Sequence, residues 1–245
     1  MNKVFTWLTL GITTIGLILA LLLGMARMQS APSQGEKLAA RANIPHPANV
    51  AHRGASYLAP ESSRPAYLLA RELGADYLEF DLQRTKDGVL VAVHDADLRR
   101  VTNVEEVFPG RSQDPVDRFT FAELQQLDAG SWFNLEFPDR ARESFQGLKI
   151  LRLEDVLDIA EDGSPQPGVY IETKLAERYR GIEKQLVQAL IGRGWIRPPP
   201  TAAPNPVRPI APPSGPARVI LQSFESASLG QLKILAPEVP RLLLL

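Results

Sequence analysis

The rhythm of apolar and polar positions changes three times along the chain. Val4 to Gly24, VFTWLTLGITTIGLILALLLG, is an apolar run without a charged residue. At about 1.5 Å per residue it reaches about 30 Å as a helix, the thickness of a bilayer core. It has no polar face of the kind a core helix needs. Lys3 and the amino terminus precede the run and Arg27 lies just beyond it. That distribution leaves the N-terminus in the cytoplasm and exports the rest of the chain. The pattern therefore predicts an uncleaved N-terminal transmembrane helix within residues 1–27. A cleaved signal peptide is the competing reading, although its apolar region is ordinarily about 7–15 residues and no clear A-x-A site follows the run. Residues 28–48 are polar with Pro, Gly and Ala, the composition of a linker.

From residue 49 short apolar strands alternate with helical stretches. NVAHRG (49–54) reads as a strand ending in a turn. SSRPAYLLARELG (62–74) reads as a helix, with Ser62 or Ser63 as cap, Pro65 in its first turn and Gly74 as its stop. YLEFDLQ (77–83) and VLVAVHD (89–95) read as strands on either side of a tight turn, Thr85-Lys86-Asp87-Gly88. Residues 96–150 form a long irregular excursion with a short helix near 121–127. Helices are expected over 151–162, 181–195 and 227–237, and strands over 168–174, 218–224 and 241–245. This alternation predicts a mostly parallel sheet. Six strands are countable where a closed (β/α)8 TIM barrel has eight. The fold class expected is such a barrel, truncated before its last two strands. Residues 197–218 interrupt it with Pro198, Pro199, Pro200, Pro204, Pro206, Pro209, Pro212, Pro213 and Pro216. A stretch so rich in proline can continue neither a helix nor a central strand, so it reads as an exposed loop.

Composition narrows the function classes. The chain of 245 residues has no cysteine, which excludes disulfides, thiolate metal sites and a cysteine nucleophile. Its 27 Lys+Arg against 28 Asp+Glu give a net charge of −1, and without a basic surface no nucleic-acid partner is expected. Of three histidines, His46 lies between Pro45 and Pro47 in the linker and is read as non-catalytic.

The remaining chemistry gathers at the C-terminal ends of the strands, where barrel active sites lie. His52 and Arg53 end the first strand. Glu79 and Asp81 are two apart on the second and so share one face, with Leu78, Phe80 and Leu82 on the other. His94 and Asp95 end the third, and Glu172 and Lys174 share a face of the fourth. Three converging carboxylates repel one another unless a cation sits among them, and all-oxygen ligands suit Ca²⁺ or Mg²⁺. Two histidines beside them can serve as acid and base near neutral pH. Arg53 and Lys174 are donors suited to phosphate. Together these groups point to cleavage of a phosphate ester.

AHRGASYLAPESS (51–63) resembles the H-R-G…A-P-E-N-T signature of glycerophosphodiester phosphodiesterases, and GADYLEFDLQRTKDGVLVAVHD (74–95) is similar to that family's next block. YIETK (170–174) looks like its I-E-x-K strand and QSF (222–224) like its later S-F strand. The resemblance implies a TIM barrel over residues 49–245, with 96–150 as the family's insertion. It implies Glu79, Asp81 and Glu172 as metal ligands, His52 and His94 as the acid–base pair, and Arg53 and Lys174 as phosphate contacts. Glu61 matches the signature's glutamate in a supporting role. It further implies that the glycerol hydroxyl beside the phosphate attacks it, giving a cyclic phosphate that water opens to glycerol 3-phosphate. Ser62 departs from the usual Asn, the proline-rich loop is an addition, and no W-T-V-N-like or T-D-x-P-like segment is present.

The function expected is metal-dependent hydrolysis of small glycerophosphodiesters, by an enzyme held at the membrane with its catalytic domain outside the cytoplasm. Two alternatives stand beside it: a lysophospholipase-D-like activity on lysophospholipids, and an inactive relic acting as a binding protein.

Overall fold

The computed structural model describes residues 32–199 and 216–245. They fall into two units, one ending at Ala42 and one spanning Asn43–Leu245. The first holds a helix, α1 (Gln34–Arg41), inside the stretch expected to be linker. Its cause is local: Ser33 accepts from the Glu36 backbone N–H and the Glu36 carboxylate takes the Ser33 N–H, a reciprocal capping box. No residue of α1 is buried.

The second unit has the order β1 (Val50–Ala51), α2 (Arg64–Glu72), β2 (Tyr77–Arg84), β3 (Leu90–Ala92), α3 (Val104–Val107), α4 (Phe121–Leu124), α5 (Ser131–Glu136), α6 (Leu153–Glu161), β4 (Gly168–Thr173), α7 (Ile182–Gly192), β5 (Val219–Ser223), α8 (Ser226–Leu235) and β6 (Arg241–Leu243). The sheet runs β1-β2-β4-β5-β6, with every neighbouring pair parallel. Ser63 caps α2, accepting from the Ala66 N–H, and Pro65 sits in its first turn, as the sequence predicts. Gly74 just beyond it is left-handed, at φ 81°.

Alternation along β2 divides its side chains. Leu78, Phe80 and Leu82 are fully buried in the main core with Val156 and Leu157 of α6 and Leu186 and Leu190 of α7. A phenylalanine buried like Phe80, edge-on to Tyr67, is worth about 3–5 kcal/mol against truncation to alanine. Glu79, Asp81 and Gln83 take the other face. In β3, Leu90 and Ala92 join the main core, while Val91 joins a second core. That core, with Val93, Leu98, Val104, Val116, Phe119, Leu124, Leu127 and Ile150, is built by the excursion, which is thus a packed layer rather than a slack loop.

The expected fold class needs correction in three respects. β3 is not the third parallel strand: it pairs antiparallel to β2, Leu82 opposite Ala92 and Arg84 opposite Leu90, and lies off the main path of the sheet. The Thr85–Gly88 turn requires this, because parallel neighbours need a crossover of about a dozen residues or more. Among the described residues five parallel strands remain, so the sheet there is an open half-barrel with β1 and β6 at its edges, in place of the six parallel strands expected of a barrel truncated before its last two. Finally, no described helix is long and apolar enough to cross a membrane. The transmembrane helix expected over Val4–Gly24 lies outside the described residues, as do residues 200–215 of the proline-rich loop.

Candidate active site

The turn after β1 is made by two consecutive left-handed residues, Arg53 at φ 58° and Gly54 at φ 83°. At Gly54 only glycine fits, because a Cβ there would meet the Ala66 backbone carbon at 2.7 Å. This conformation aims the Arg53 backbone N–H at Glu79 Oε2, 2.8 Å away. It also leaves the Arg53 side chain over the strand ends, with Nε 3.3 Å from Asp81 Oδ2 and an Nη 3.2 Å from Glu61 Oε1.

The parallel register sets Asp81 beside Glu172 and Glu172 beside Gln222. Glu79, Asp81 and Glu172 are 2%, 1% and 5% exposed. One carboxylate oxygen of each lies within 4.8 Å of the others, a cluster that could hold a metal ion. Lys174 reaches back along β4, its Nζ 3.1 Å from Glu172 Oε1 and 3.5 Å from Asp81 Oδ1. Gln222 donates to Glu79 Oε1 at 3.0 Å. Even so, Asp81 Oδ2 is buried without a hydrogen-bond partner. Three buried carboxylates, hard oxygen donors alone and one orphaned oxygen fit a divalent cation.

Electrostatics carry the same message. Burial, then the neighbouring Asp81 charge, pushes the Glu79 carboxyl up to about 8. Glu172 is also raised, by burial first and Asp81 second, with Lys174 opposing. Such shifts cluster where a site is arranged for function.

His52 and His94 follow β1 and β3, both of which pair with β2. His52 is lowered from the ordinary imidazole value by burial and then by the Arg53 charge; His94 adds to this, while Asp81 and Glu61 oppose it. His94 Nδ1 is 2.6 Å from Asp95 Oδ1. An ionised carboxylate only accepts, so Nδ1 carries the hydrogen and Nε2 is left for other work. Glu61 accepts from Arg53 and Arg100. Burial raises its carboxyl, but the hydrogen bond and charge of Arg100 outweigh that and hold it below the ordinary range.

The structure thus brings Glu79, Asp81, Glu172, Lys174, Arg53 and Glu61 into one connected network, with His52 electrostatically coupled to it and His94 joined to it through Asp95 and Arg100. Sequence reasoning misses three participants. Gln222 lies in the QSF segment with no role marked, yet its place on β5 aligns it with Glu172. Asp95 stands out in the sequence only as the neighbour of His94. Arg100 lies in the excursion and carries no local signal, because its partner Glu61 is distant in sequence.

Comparison with known proteins agrees with this geometry. Residues 52–245 match the family model described as the glycerophosphoryl diester phosphodiesterase family. The glycerophosphodiester phosphodiesterase of Bacillus subtilis is 36% identical over 229 residues, covering 94% of this chain and 68% of its own length. That of Caldanaerobacter subterraneus is 33% identical over 190 residues, covering 78% of this chain and 63% of its own. A solved glycerophosphodiester phosphodiesterase from Agrobacterium tumefaciens aligns at TM-score 0.57 with 29% identity, over 78% of this chain and 64% of that one. An Oleispira antarctica phosphodiesterase, solved with its product sn-glycerol-3-phosphate, aligns at TM-score 0.56 with 27% identity, over 80% and 64%. The chain therefore spans about two thirds of the length of these relatives. Given the family match over residues 52–245 and the Bacillus relative, the chain belongs to the glycerophosphoryl diester phosphodiesterase family.

Proposed function

We propose that this chain hydrolyses glycerophosphodiesters to glycerol 3-phosphate and an alcohol. The observation that carries the reading is the buried cluster of Glu79 and Asp81 on β2 with Glu172 on β4, with His52 and His94 just past the ends of β1 and β3, which both pair with β2. The three carboxylates would hold Ca²⁺ or Mg²⁺, which when bound supplies a Lewis acid for the phosphoryl oxygens. Arg53 and Lys174, both in contact with the cluster at Asp81, would bind the remaining phosphate charge.

The chain has no cysteine to serve as nucleophile, and the resemblance to the family implies that the substrate's own hydroxyl attacks phosphorus. His52, its pKa lowered, is neutral near pH 7 and accepts the hydroxyl proton. His94, its Nδ1 held by Asp95, uses Nε2 to return a proton to the departing alcohol. Water then opens the cyclic phosphate as the two rings reverse their parts. The test is glycerol 3-phosphate release from glycerophosphocholine, with and without chelator and with Ca²⁺ or Mg²⁺ restored. Release that survives both chelator and His52→Ala would overturn the reading. A purified chain that binds substrate without turnover would favour the binding-protein alternative.

Lysophospholipid is the second substrate reading. Tyr57 is 73% and Phe224 59% exposed, and both come just after the site-bearing strands β1 and β5, where an acyl chain could lie. Faster turnover of lysophosphatidylcholine than of glycerophosphocholine would support it. The uncharged run at residues 4–24 supports a site facing out of the cell, which protease access in intact cells would check.

A further inference from the structure

Arg100 enters the site from the excursion, and no step of the proposed hydrolysis uses it. Its guanidinium joins two carboxylates from different parts of the fold. Nε is 2.6 Å from Asp95 Oδ2, and Nη2 is 3.2 Å from Asp95 Oδ1. Nη1 is 2.9 Å from Glu61 Oε2, and Nη2 is 2.7 Å from Glu61 Oε1. Each carboxylate is therefore gripped at both oxygens.

Those carboxylates belong to the two histidine-bearing segments. Asp95 holds His94 by Nδ1. Glu61 holds Arg53, the neighbour of His52, at 3.2 Å, and the loop closes back on that turn as the Ser62 N–H donates to the Arg53 carbonyl at 2.9 Å. Without the guanidinium between them Glu61 and Asp95 repel, and the two segments lose their tie. Arg100 is itself steadied by Trp132 of α5, its guanidinium 5.9 Å from the ring centroid. Its side chain is 42% exposed, so its ion pairs add little to folding by themselves.

We infer that Arg100 is a positioning residue, a strut that sets the spacing of the loops carrying His52 and His94. The inference rests on the acid–base reading of those histidines. A lysine cannot replace it, because a point charge lacks the planar fork that meets two carboxylates at once.

The experiment is steady-state hydrolysis of glycerophosphocholine by the full chain and by Arg100→Ala and Arg100→Lys, with thermal unfolding of each. The expected result is a kcat lower by about 10–100-fold in both variants, with KM moved by less than about threefold and melting close to the parent. Free guanidinium is expected to restore about tenfold of the activity to Arg100→Ala and none to Arg100→Lys, whose side chain fills the space. Variants with kcat within about threefold of the parent overturn the inference. So does a loss accompanied by early melting in both variants and untouched by guanidinium, which marks a structural role. A parent chain without turnover overturns the acid–base reading instead, so the two failures are distinguishable.

Discussion

Glu79 shows how one side chain can tie stability, pH and cation binding together. Its carboxyl, pushed to about 8 by burial and then by Asp81, keeps its proton at neutral pH when no cation is present. An unfolded chain releases that proton near 4.5, so the folded protein holds it more tightly. The stability this contributes is full below about 4.5 and is lost as pH rises through about 8. Metal-free protein should therefore melt at progressively lower temperature across that window, and Glu79→Gln should flatten the trend. A cation must displace the proton, so the affinity for Mg²⁺ or Ca²⁺ should rise with pH up to about 8. Calorimetry in two buffers of different ionisation enthalpy would detect the released proton. An affinity that does not change with pH over this range would contradict the assignment.

Among the elements, the turn after β1 and the β2–β3 hairpin do most to aim the chemistry. Gly54→Ala places a Cβ 2.7 Å from the Ala66 backbone at a positive φ, and α2 cannot yield without moving its first turn. The substitution should cost about 2 kcal/mol or more in urea unfolding, and it should impair hydrolysis because Arg53 and His52 ride on that turn. The hairpin also shows how far a sequence can be read. Two-residue periodicity places Glu79 and Asp81 on one face and Leu78, Phe80 and Leu82 on the other, as found. Periodicity is blind to strand direction, however, so it leaves β3 looking like one more parallel strand. The signal that settles its direction is the Thr85–Gly88 turn, too short for a crossover. The second core of the excursion is hidden for another reason: Val104, Phe119, Leu127 and Ile150 converge through irregular backbone with no fixed period.

At the scale of the whole molecule, an open sheet has edges. Leu242 and Leu243 on β6 are 41% and 49% exposed, at the edge where the sheet has no further strand among the described residues. Such an edge invites association. Light scattering should show mass rising with concentration, and Leu243→Lys should reduce it; a monomer at all concentrations would refute this. The meeting of Glu79, Asp81 and Glu172 is legible in the sequence, because side chains two apart on paired parallel strands share a face. The links made by Arg100 and Gln222 are not, because they join residues as far as 143 positions apart. The hairpin has one more consequence, in time rather than space. The Gln83 side chain meets the Val93 carbonyl across only 10 positions, whereas Gln222 waits for 143 to reach Glu79. Local closure takes microseconds and long loops close later, so His94 should come to lie beside Glu79 and Asp81 early, before Glu172 and Gln222 arrive. Asp87→Ala, which removes the 2.6 Å bond from Thr85 in the turn, should then slow refolding, whereas Val169→Ala in β4 should mainly speed unfolding. On this ordering, two of the three carboxylates proposed to hold a cation are in place on a nascent hairpin, and a cation present during refolding could seed the site before the sheet is complete.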